Sequence, residues 1–162
     1  MDSLRQKIIG EFGNRLRLRV CGISILGESI LLVRHAGLGS DGVFWSPPGG
    51  GAEFGMPVAE NLVREMREET GLFVEPGRLL LVYETLKPPL HAVEMFFEVT
   101  ITGGSLITGT DPEMPEADQI IREVRYVPYE EIRENPPHRY HAMVNRLARG
   151  SKIEDLSGFL GT

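Results

Sequence analysis

The sequence has almost no cysteine and no long hydrophobic run. Its 162 residues include one cysteine, Cys21, which excludes a disulfide within the chain. No stretch approaches the roughly 18 consecutive apolar residues of a membrane span, and residues 1–10 lack the features of a secretory signal. We therefore expect a cytoplasmic protein with no membrane partner. Cys21 lies in an apolar, strand-like segment, where we expect a buried core thiol rather than a nucleophile.

Basic residues are also fewer than acidic residues. The chain has 17 Lys and Arg against 23 Asp and Glu, which gives a formal net charge of -6. Proteins that bind extended nucleic acid rely on basic surface to neutralise phosphates, so we expect no such partner here. A small phosphate substrate is not excluded, because carboxylates that hold divalent cations reverse the local sign of the field.

What is present is the composition of an ordinary globular domain. With 41% hydrophobic and 25% charged residues, the chain can bury a core without disulfides or a structural metal. The sequence shows no repeat, low-complexity tract or linker. We expect residues 1–162 to form a single domain, in which the tail after Gly150 has the weakest pattern.

Apolar segments separated by glycine-rich turns predict several β-strands. Residues 15–26 and 29–35 flank Gly27-Glu28, which suits a two-residue hairpin between antiparallel strands. Residues 36–54 are rich in glycine and proline and predict a long loop with a short strand around Phe44-Trp45. Further strands are expected over 79–85, 92–101 and 121–127, and helices over 129–134 and 138–148.

The strongest helix prediction covers residues 57–70. Proline is tolerated in the first turn, and Gly71 is suited to a left-handed helix cap. The predicted buried face consists of apolar residues at positions i, i+3, i+4 and i+7, which are Ala59, Leu62, Val63 and Met66. Strands interrupted by this helix and followed by another predict an α/β fold, an α/β/α sandwich with a mixed β-sheet between helices.

Three glutamates of this helix, Glu65, Glu68 and Glu69, are spaced i, i+3, i+4. At about 100° per residue they share one face, where like charges repel. A helix keeps such an arrangement more readily if cations bind there, and hard divalent ions prefer carboxylate oxygens. Magnesium would also bind phosphate oxygens and make a bound water more acidic, which creates a nucleophile for phosphorus. The alternative interpretation is an ordinary solvated acidic face.

The residues around the helix favour the metal-binding interpretation. Residues 50–72 read GGAEFGMPVAENLVREMREETGL. This segment resembles the Nudix box, G-x5-E-x7-R-E-U-x-E-E-x-G-U, in which U is a bulky aliphatic residue. Eight of the nine specified positions match, namely Gly50, Arg64, Glu65, Met66, Glu68, Glu69, Gly71 and Leu72. The exception is Met56, which stands in place of the first glutamate and cannot ionise.

The resemblance implies membership of the Nudix, or MutT-like, hydrolase family. Such an enzyme cleaves the phosphoric anhydride (pyrophosphate) linkage of a nucleoside diphosphate joined to another group, with Mg²⁺, or alternatively Mn²⁺, as cofactor. Carried over by position, Glu65, Glu68 and Glu69 are metal ligands that can also orient the attacking water. A backbone carbonyl near Gly50 completes the implied site.

The motif arginine, Arg64, belongs to the implied catalytic set. In the family it is held chiefly by the glutamate that Met56 replaces here. We therefore expect Arg64 to pair instead with Glu68, one turn along the helix, or with Glu53 in the preceding loop.

The resemblance also implies a carboxylate from outside the box, acting as base or ligand. Glu123, Glu116 and Glu113 lie in the expected region. We favour Glu123, at the beginning of the last long strand, over the alternatives. A strand-edge charge without a role in the site is the competing interpretation for Glu123.

Substrate phosphates are expected to meet basic residues of the predicted sheet. Arg17 and Arg34 are the principal candidates, with Arg19 and His35 as further ones. A guanidinium group can donate two parallel hydrogen bonds to the oxygens of one phosphate. Each of these residues could equally be a surface charge. The three remaining histidines lack metal-ligand spacing and are interpreted as structural or exposed, namely His91, His138 and His141.

The substrate class is open between ADP-ribose or another NDP-sugar and an NTP. Pro88, 16 residues after Leu72, resembles a feature of the subgroup that acts on ADP-ribose and similar sugars, although a turn also explains a proline there. Phe44 could stack on a base, whereas Trp45 is better suited to wedging the loop onto the sheet.

Two further alternatives concern the protein as a whole. A catalytically silent module that senses a nucleotide is the competing function, and Met56 is the only sequence feature in its favour. The quaternary state is also open, with a homodimer as one outcome.

Overall fold

The computed structural model describes residues 2–111 and 113–161. The helices are α1 (Asp2–Phe12), α2 (Val58–Thr70), α3 (Tyr129–Glu134) and α4 (Ala142–Ala148). The strands are β1 (Leu16–Ile23), β2 (Ile25–Leu26), β3 (Ser29–Ala36), β4 (Val43–Ser46), β5 (Gly49–Gly51), β6 (Leu72–Lys87), β7 (Leu90–Gly104), β8 (Ile121–Pro128) and β9 (Phe159–Gly161). Short 3₁₀ helices cover Glu116–Asp118, Pro137–Arg139 and Ile153–Asp155.

The strands form two sheets. A mixed five-stranded sheet has the order β5-β1-β7-β6-β9, in which β1 is parallel to β7 and β6 is parallel to β9. In the second sheet, which is antiparallel, β3 pairs with β8, with β4 and at its start with β2. The predicted α/β class with a mixed sheet is confirmed, and the antiparallel sheet is an addition to it.

Strand β3 is apolar at successive positions, without the alternation of a half-exposed strand, because both of its faces are buried. Ile30 and Leu32 belong to a hydrophobic cluster with residues of α4, whereas Leu31 and Val33 belong to a cluster with residues of α2. Neighbouring side chains of a strand point to opposite faces of the sheet. Both faces are therefore covered by helices, as the predicted sandwich requires.

Helix α2 has the predicted extent, but its buried face is rotated. Gly71 adopts the expected left-handed conformation, with φ 73°. The residues that α2 buries are Asn61, Leu62, Glu65, Met66, Glu69 and Thr70. Ala59 is exposed, so one of the four predicted apolar positions is wrong, whereas Val63 is partly buried and packs against the core. The buried face extends instead toward Glu65 and Glu69.

The predicted hairpin between the first two long strands is wrong for most of its length. Only β2 pairs with the start of β3 across Gly27-Glu28. Strand β1 joins the other sheet, where it lies between β5 and β7. The chain changes sheet at Ser24, a crossing that the local pattern does not reveal because the partners of β1 lie as far away as residues 91–98.

The sequence patterns did not predict helix α1. Ile8 and Phe12 pack in a hydrophobic cluster with Met114 and Ile120, and Leu4 lies against it. Leu4, Ile8 and Phe12 are spaced one turn apart, which is the signal that would have indicated an amphipathic helix. No helix among the described residues is both long and apolar enough to cross a membrane.

The segment after Gly150 is integrated into the fold. Leu156 is buried, and β9 extends the five-stranded sheet by pairing in parallel with β6 at residues 82–84. Cys21 is also buried, as expected, and burial raises the pKa of its thiol.

Candidate active site

The glycine loop before α2 is held against β1 and against the helix. Antiparallel pairing places Val20 opposite Gly50 and Cys21 opposite Gly49. A Cβ atom at Gly49 would lie 2.0 Å from the Val20 carbonyl oxygen, so a side chain does not fit there. The Gly49 N–H donates a hydrogen bond of 2.8 Å to Oε2 of Glu69, which fixes this carboxylate.

Glu65 and Glu69 lie one helical turn apart and are each only 2% exposed. Burial raises the pKa of Glu65 to about 7, and neighbouring Arg64 opposes this shift. Burial likewise raises the pKa of Glu69 well above its ordinary value, with the Gly49 hydrogen bond acting in the other direction. Two buried carboxylates are costly to ionise without a nearby positive charge. Their arrangement therefore favours a cationic partner.

Arg64 supplies part of that charge by contacting three carboxylates. Its Nη2 lies 2.8 Å from Oε1 of Glu65 and 3.2 Å from Oε1 of Glu53. Its Nη1 lies 2.9 Å from Oε2 of Glu68. The predicted pairing with Glu68 and Glu53 is confirmed, and the contact with Glu65 was not foreseen. Arg64 is thus held without any contribution from the Met56 side chain.

The loop after β7 brings two more acids to the site. Its backbone N–H groups bond to carbonyl oxygens at the C-terminus of α2, in the pairs Ile107 to Thr70 (2.9 Å), Gly109 to Glu69 (2.8 Å) and Thr110 to Glu68 (3.3 Å). The last carbonyls of a helix lack partners within the helix, so these bonds dock the loop there. The chain then continues into Asp111 and Glu113. Burial raises the pKa of Asp111.

A cavity of about 410 Å³ lies beside these elements, a volume in the range of small-molecule sites. Its acidic lining consists of Glu65, Glu69, Glu94, Asp111 and Glu113. Its basic lining consists of Arg5, Arg17, Arg19 and Lys87. Helix α1 contributes an apolar part with Ile8, Ile9 and Phe12, and Leu38, Phe44, Pro88, Pro89 and Leu90 add to it.

The structure separates the two arginines that were expected to bind substrate. Arg17 lines the cavity, where its guanidinium stacks 4.0 Å over the Phe12 ring and pairs with Glu113 at 2.8 Å. Arg34 and Glu123 lie opposite each other on β3 and β8, pair at 3.2 Å, and are not among the residues that line the cavity. Their expected role at the site stays a prediction that this geometry does not favour.

Of the other residues predicted for the site, some line the cavity and some do not. Glu113 lines the cavity, while Glu116 is exposed in a 3₁₀ helix. Asp111 was not a candidate, because its place depends on how the loop docks on α2 rather than on any motif.

All four histidines line the cavity, so the interpretation of His91, His138 and His141 as structural or exposed was incomplete.

The two aromatic residues of β4 point to different surroundings. Phe44 lines the cavity. Trp45 is buried and stacks on Tyr140, with ring centroids 6.5 Å apart and an interplanar angle of 12°. Trp45 therefore packs in the core.

The chemistry of the donors fits a hard divalent cation. Within residues 2–111 and 113–161, no three His, Cys, Asp or Glu side chains stand close enough together to form a metal site as they are. Glu65, Glu68 and Glu69 nevertheless offer only carboxylate oxygens, which such ions prefer. Arg64 holds Glu65 and Glu68 through charge that a cation could also provide.

The fold and the site define an α/β protein in which an acidic helix lies beside a glycine loop and a cavity. The family model described as NUDIX domain matches residues 15–146. The chain therefore belongs to the Nudix family. Among solved structures, the MutT protein from Methanosarcina mazei Go1 is similar in fold, with a TM-score of 0.63 and 18% identity over 84% of this chain and 95% of that protein.

Two curated relatives match part of the chain. YjhB of Bacillus subtilis (strain 168), provisionally named an ADP-ribose pyrophosphatase, is 39% identical over 89 residues, which are 52% of this chain and 41% of YjhB. The ADP-ribose pyrophosphatase of Methanocaldococcus jannaschii is 36% identical over 99 residues, or 60% of this chain and 58% of that protein. The similarity thus covers less than two thirds of either relative.

Proposed function

We propose that this chain is a pyrophosphatase of the Nudix hydrolase type, which cleaves the diphosphate linkage of a nucleoside diphosphate joined to another group. The observation that carries the proposal is the pair of buried glutamates, Glu65 and Glu69, on the wall of a cavity that also presents Arg17 and Lys87. A cation held by acidic residues and basic residues that bind phosphate oxygens would both stabilise the charge that develops in this reaction.

The proposed cofactor is Mg²⁺, with Mn²⁺ as a substitute. Glu65, Glu68, Glu69 and the carbonyl of Gly50 would hold it. The bound ion would neutralise phosphate charge and make a water more acidic. Within the chain, Arg64 orients Glu68, and the Gly49 N–H orients Glu69. Glu113 and Asp111 replace Glu123 as the preferred carboxylates from outside the box, because both line the cavity.

ADP-ribose or another NDP-sugar is the proposed substrate class, with an NTP as the alternative. The names of the two curated relatives favour ADP-ribose. The apolar lining supports a substrate with a base or sugar beside the diphosphate, since the partly exposed Phe44 ring lines the cavity. Phe12 belongs to α1, which lies outside the residues matched by the family model.

Hydrolysis of a substrate panel tests the proposal. ADP-ribose, an NDP-sugar, a dinucleoside polyphosphate and NTPs are incubated with Mg²⁺ and the wild type, Glu65→Gln or Glu69→Gln. Glu60→Gln is the matched control, because Glu60 is exposed in the first turn of the same helix. Loss of several kcal/mol of charge stabilisation predicts at least about a 100-fold fall in kcat for the two site variants.

The outcome of the panel separates the two candidate functions. Turnover of one class by the wild type and Glu60→Gln, lost in both site variants, supports the hydrolase. Tight binding of a nucleotide without turnover of any compound would instead favour the silent sensor.

A further inference from the structure

A partly buried arginine connects the glycine loop to a glutamate in the middle of the mixed sheet. Nη2 of Arg19 donates a 3.0 Å hydrogen bond to the carbonyl oxygen of Gly49, and Nη1 donates a 3.2 Å bond to Oε1 of Glu94. The N–H of the same glycine holds Glu69 at 2.8 Å. Arg19 thus lies one residue away from a carboxylate of the proposed metal site.

Glu94 is itself held from three sides. Only 4% of the residue is exposed. Besides Arg19, its carboxylate accepts a 3.0 Å bond from the Thr85 hydroxyl and is 3.0 Å from Nε2 of His141. Nδ1 of His141 accepts a 3.1 Å bond from the Met143 N–H at the start of α4. Because Nδ1 accepts, Nε2 carries the proton and donates to Glu94.

Stability alone does not explain this arrangement. The cost of removing two charges from water largely cancels the attraction in a buried ion pair, so well-packed apolar residues commonly stabilise such a position as well or better. The pair belongs to neither the acidic helix nor the loop that docks on it. What the ion pair does provide is a fixed geometry, because Arg19 donates hydrogen bonds to Glu94 and to the Gly49 carbonyl from two different nitrogens.

We propose that Arg19, Glu94 and His141 are positioning residues for Glu69. His141 and Thr85 fix Glu94, Glu94 fixes Arg19, and Arg19 fixes the glycine whose N–H holds Glu69. The inference rests on the proposed function only where it concerns metal binding by Glu69. The placement of Gly49 by Arg19 can be tested in the protein without metal or substrate.

Three conservative variants interrupt this chain of contacts at different points. Arg19→Lys keeps the charge, but a single ammonium lacks the planar fork that reaches both acceptors. His141→Asn keeps a good N-cap for α4 and removes the donor to Glu94. Thr85→Val removes one hydroxyl donor with little change of shape. Arg78→Lys is the matched control, because Arg78 is on the surface and pairs with Glu98 away from the cavity.

The first measurement is hydrogen exchange of the Gly49 amide by NMR in metal-free, ¹⁵N-glycine-labelled protein. A weakened hydrogen bond to Glu69 predicts exchange at least about tenfold faster in Arg19→Lys and His141→Asn, and unchanged exchange in Arg78→Lys. Thr85→Val provides the readout if either of the others does not fold. Folded variants with wild-type exchange at Gly49 would overturn the proposal.

The second measurement is Mn²⁺ binding by electron paramagnetic resonance, with kinetics on the substrate found by the panel. Loss of a residue that orients a ligand predicts Mn²⁺ affinity about tenfold weaker and a lower kcat at unchanged KM. Wild-type Mn²⁺ affinity in variants whose Gly49 amide has become labile would also count against the positioning role. A wild type that neither binds Mn²⁺ nor hydrolyses any compound refutes the proposed function, and Gly49 exchange still decides whether Arg19 places the loop.

Discussion

Gly50 faces Glu65 so closely that a Cβ atom built on the glycine would lie 2.4 Å from the carboxyl carbon of the glutamate. The buried carboxylate therefore occupies the volume that any other residue at position 50 would need. This relationship explains in physical terms why a glycine is required at the first position of the motif. It also supplies a substitution that perturbs Glu65 without altering its charge.

Gly50→Ala is expected to lower activity strongly while the protein remains folded. The added methyl group must displace the Glu65 side chain, and misplacement of a reacting group by about 1 Å can cost 100-fold in rate. Steady-state hydrolysis and circular dichroism measure the two effects. Gly10→Ala is the control, because a Cβ there meets nothing within 4 Å and alanine favours a helix. Equal activity of the two variants would show that the contact with Glu65 has no functional weight.

Gly109→Ala is expected to reduce both stability and activity. A Cβ at Gly109 would lie 1.9 Å from the Glu68 carbonyl oxygen, so the loop must move away from the end of α2 and take Asp111 with it. We expect a loss of about 1–3 kcal/mol in the free energy of unfolding, measured with urea. Gly103→Ala, where the nearest atom is a Phe73 side-chain carbon at 3.4 Å, should lose much less. The reverse order would contradict the docking of this loop.

Restoring the missing motif glutamate with Met56→Glu is expected to change kcat/KM by no more than about threefold, or less than 1 kcal/mol. Arg64 already contacts Glu53, Glu65 and Glu68, so it has no need of a further carboxylate. Kinetic comparison with the wild type is sufficient. An increase of tenfold or more would instead identify Met56 as the residue that limits catalysis.

The stability of the protein should depend on the protonation of His35. Burial, with a smaller effect of Arg19, lowers the pKa of this histidine from 6.5 to about 4. The unfolded chain therefore binds more protons than the folded chain between these values, and the contribution of His35 is lost as the pH falls through them. Between pH 7 and pH 5 this loss amounts to about 2 kcal/mol.

His35→Gln isolates that contribution. Glu65, whose pKa is raised to about 7, acts in the opposite direction over the same pH range, so the wild type alone is not informative. Urea unfolding at pH 7 and pH 5 should show that acidification costs the wild type about 2 kcal/mol more than His35→Gln. Equal pH dependence of the two proteins would rule out a buried neutral imidazole.

The sequence allowed prediction of the parts of the site that lie within one segment. The spacing of Glu65, Glu68 and Glu69 and the helix cap at Gly71 depend on local periodicity and local backbone conformation, and both were visible. The partners of Arg64 were predictable for a similar reason, because Glu68 is one turn away and Glu53 lies in the adjoining loop.

Features that depend on distant pairing were not predictable from one sequence. Strand β1 pairs with β7 rather than β3, which brings Arg19 to Glu94. The loop that carries Asp111 is placed by backbone bonds to α2, and backbone groups leave no residue pattern. The pairing of Arg34 with Glu123 could not be foreseen either, because it depends on β3 and β8 being neighbours in the antiparallel sheet.

Helix α1 was missed for a different reason. The one-turn spacing of Leu4, Ile8 and Phe12 was present but covers only a short segment, and Gly10 lowers the intrinsic helix propensity of that segment. Packing of Ile8 and Phe12 against residues about a hundred positions later in the chain stabilises it. Its contribution to the cavity could be recognised only once these partners were known.

Because backbone bonds tie the 105–111 loop to the last carbonyls of α2, we expect the two segments to open as one cooperative unit, or foldon. The loop cannot detach without leaving the carbonyls of Glu68, Glu69 and Thr70 unpaired, and those residues belong to the helix that carries the acids. Inserting or deleting a residue between Gly104 and Asp111 would shift the N–H groups of the loop out of register with the carbonyl oxygens of the helix. The length of this loop is therefore under the same constraint as the sequence of the motif.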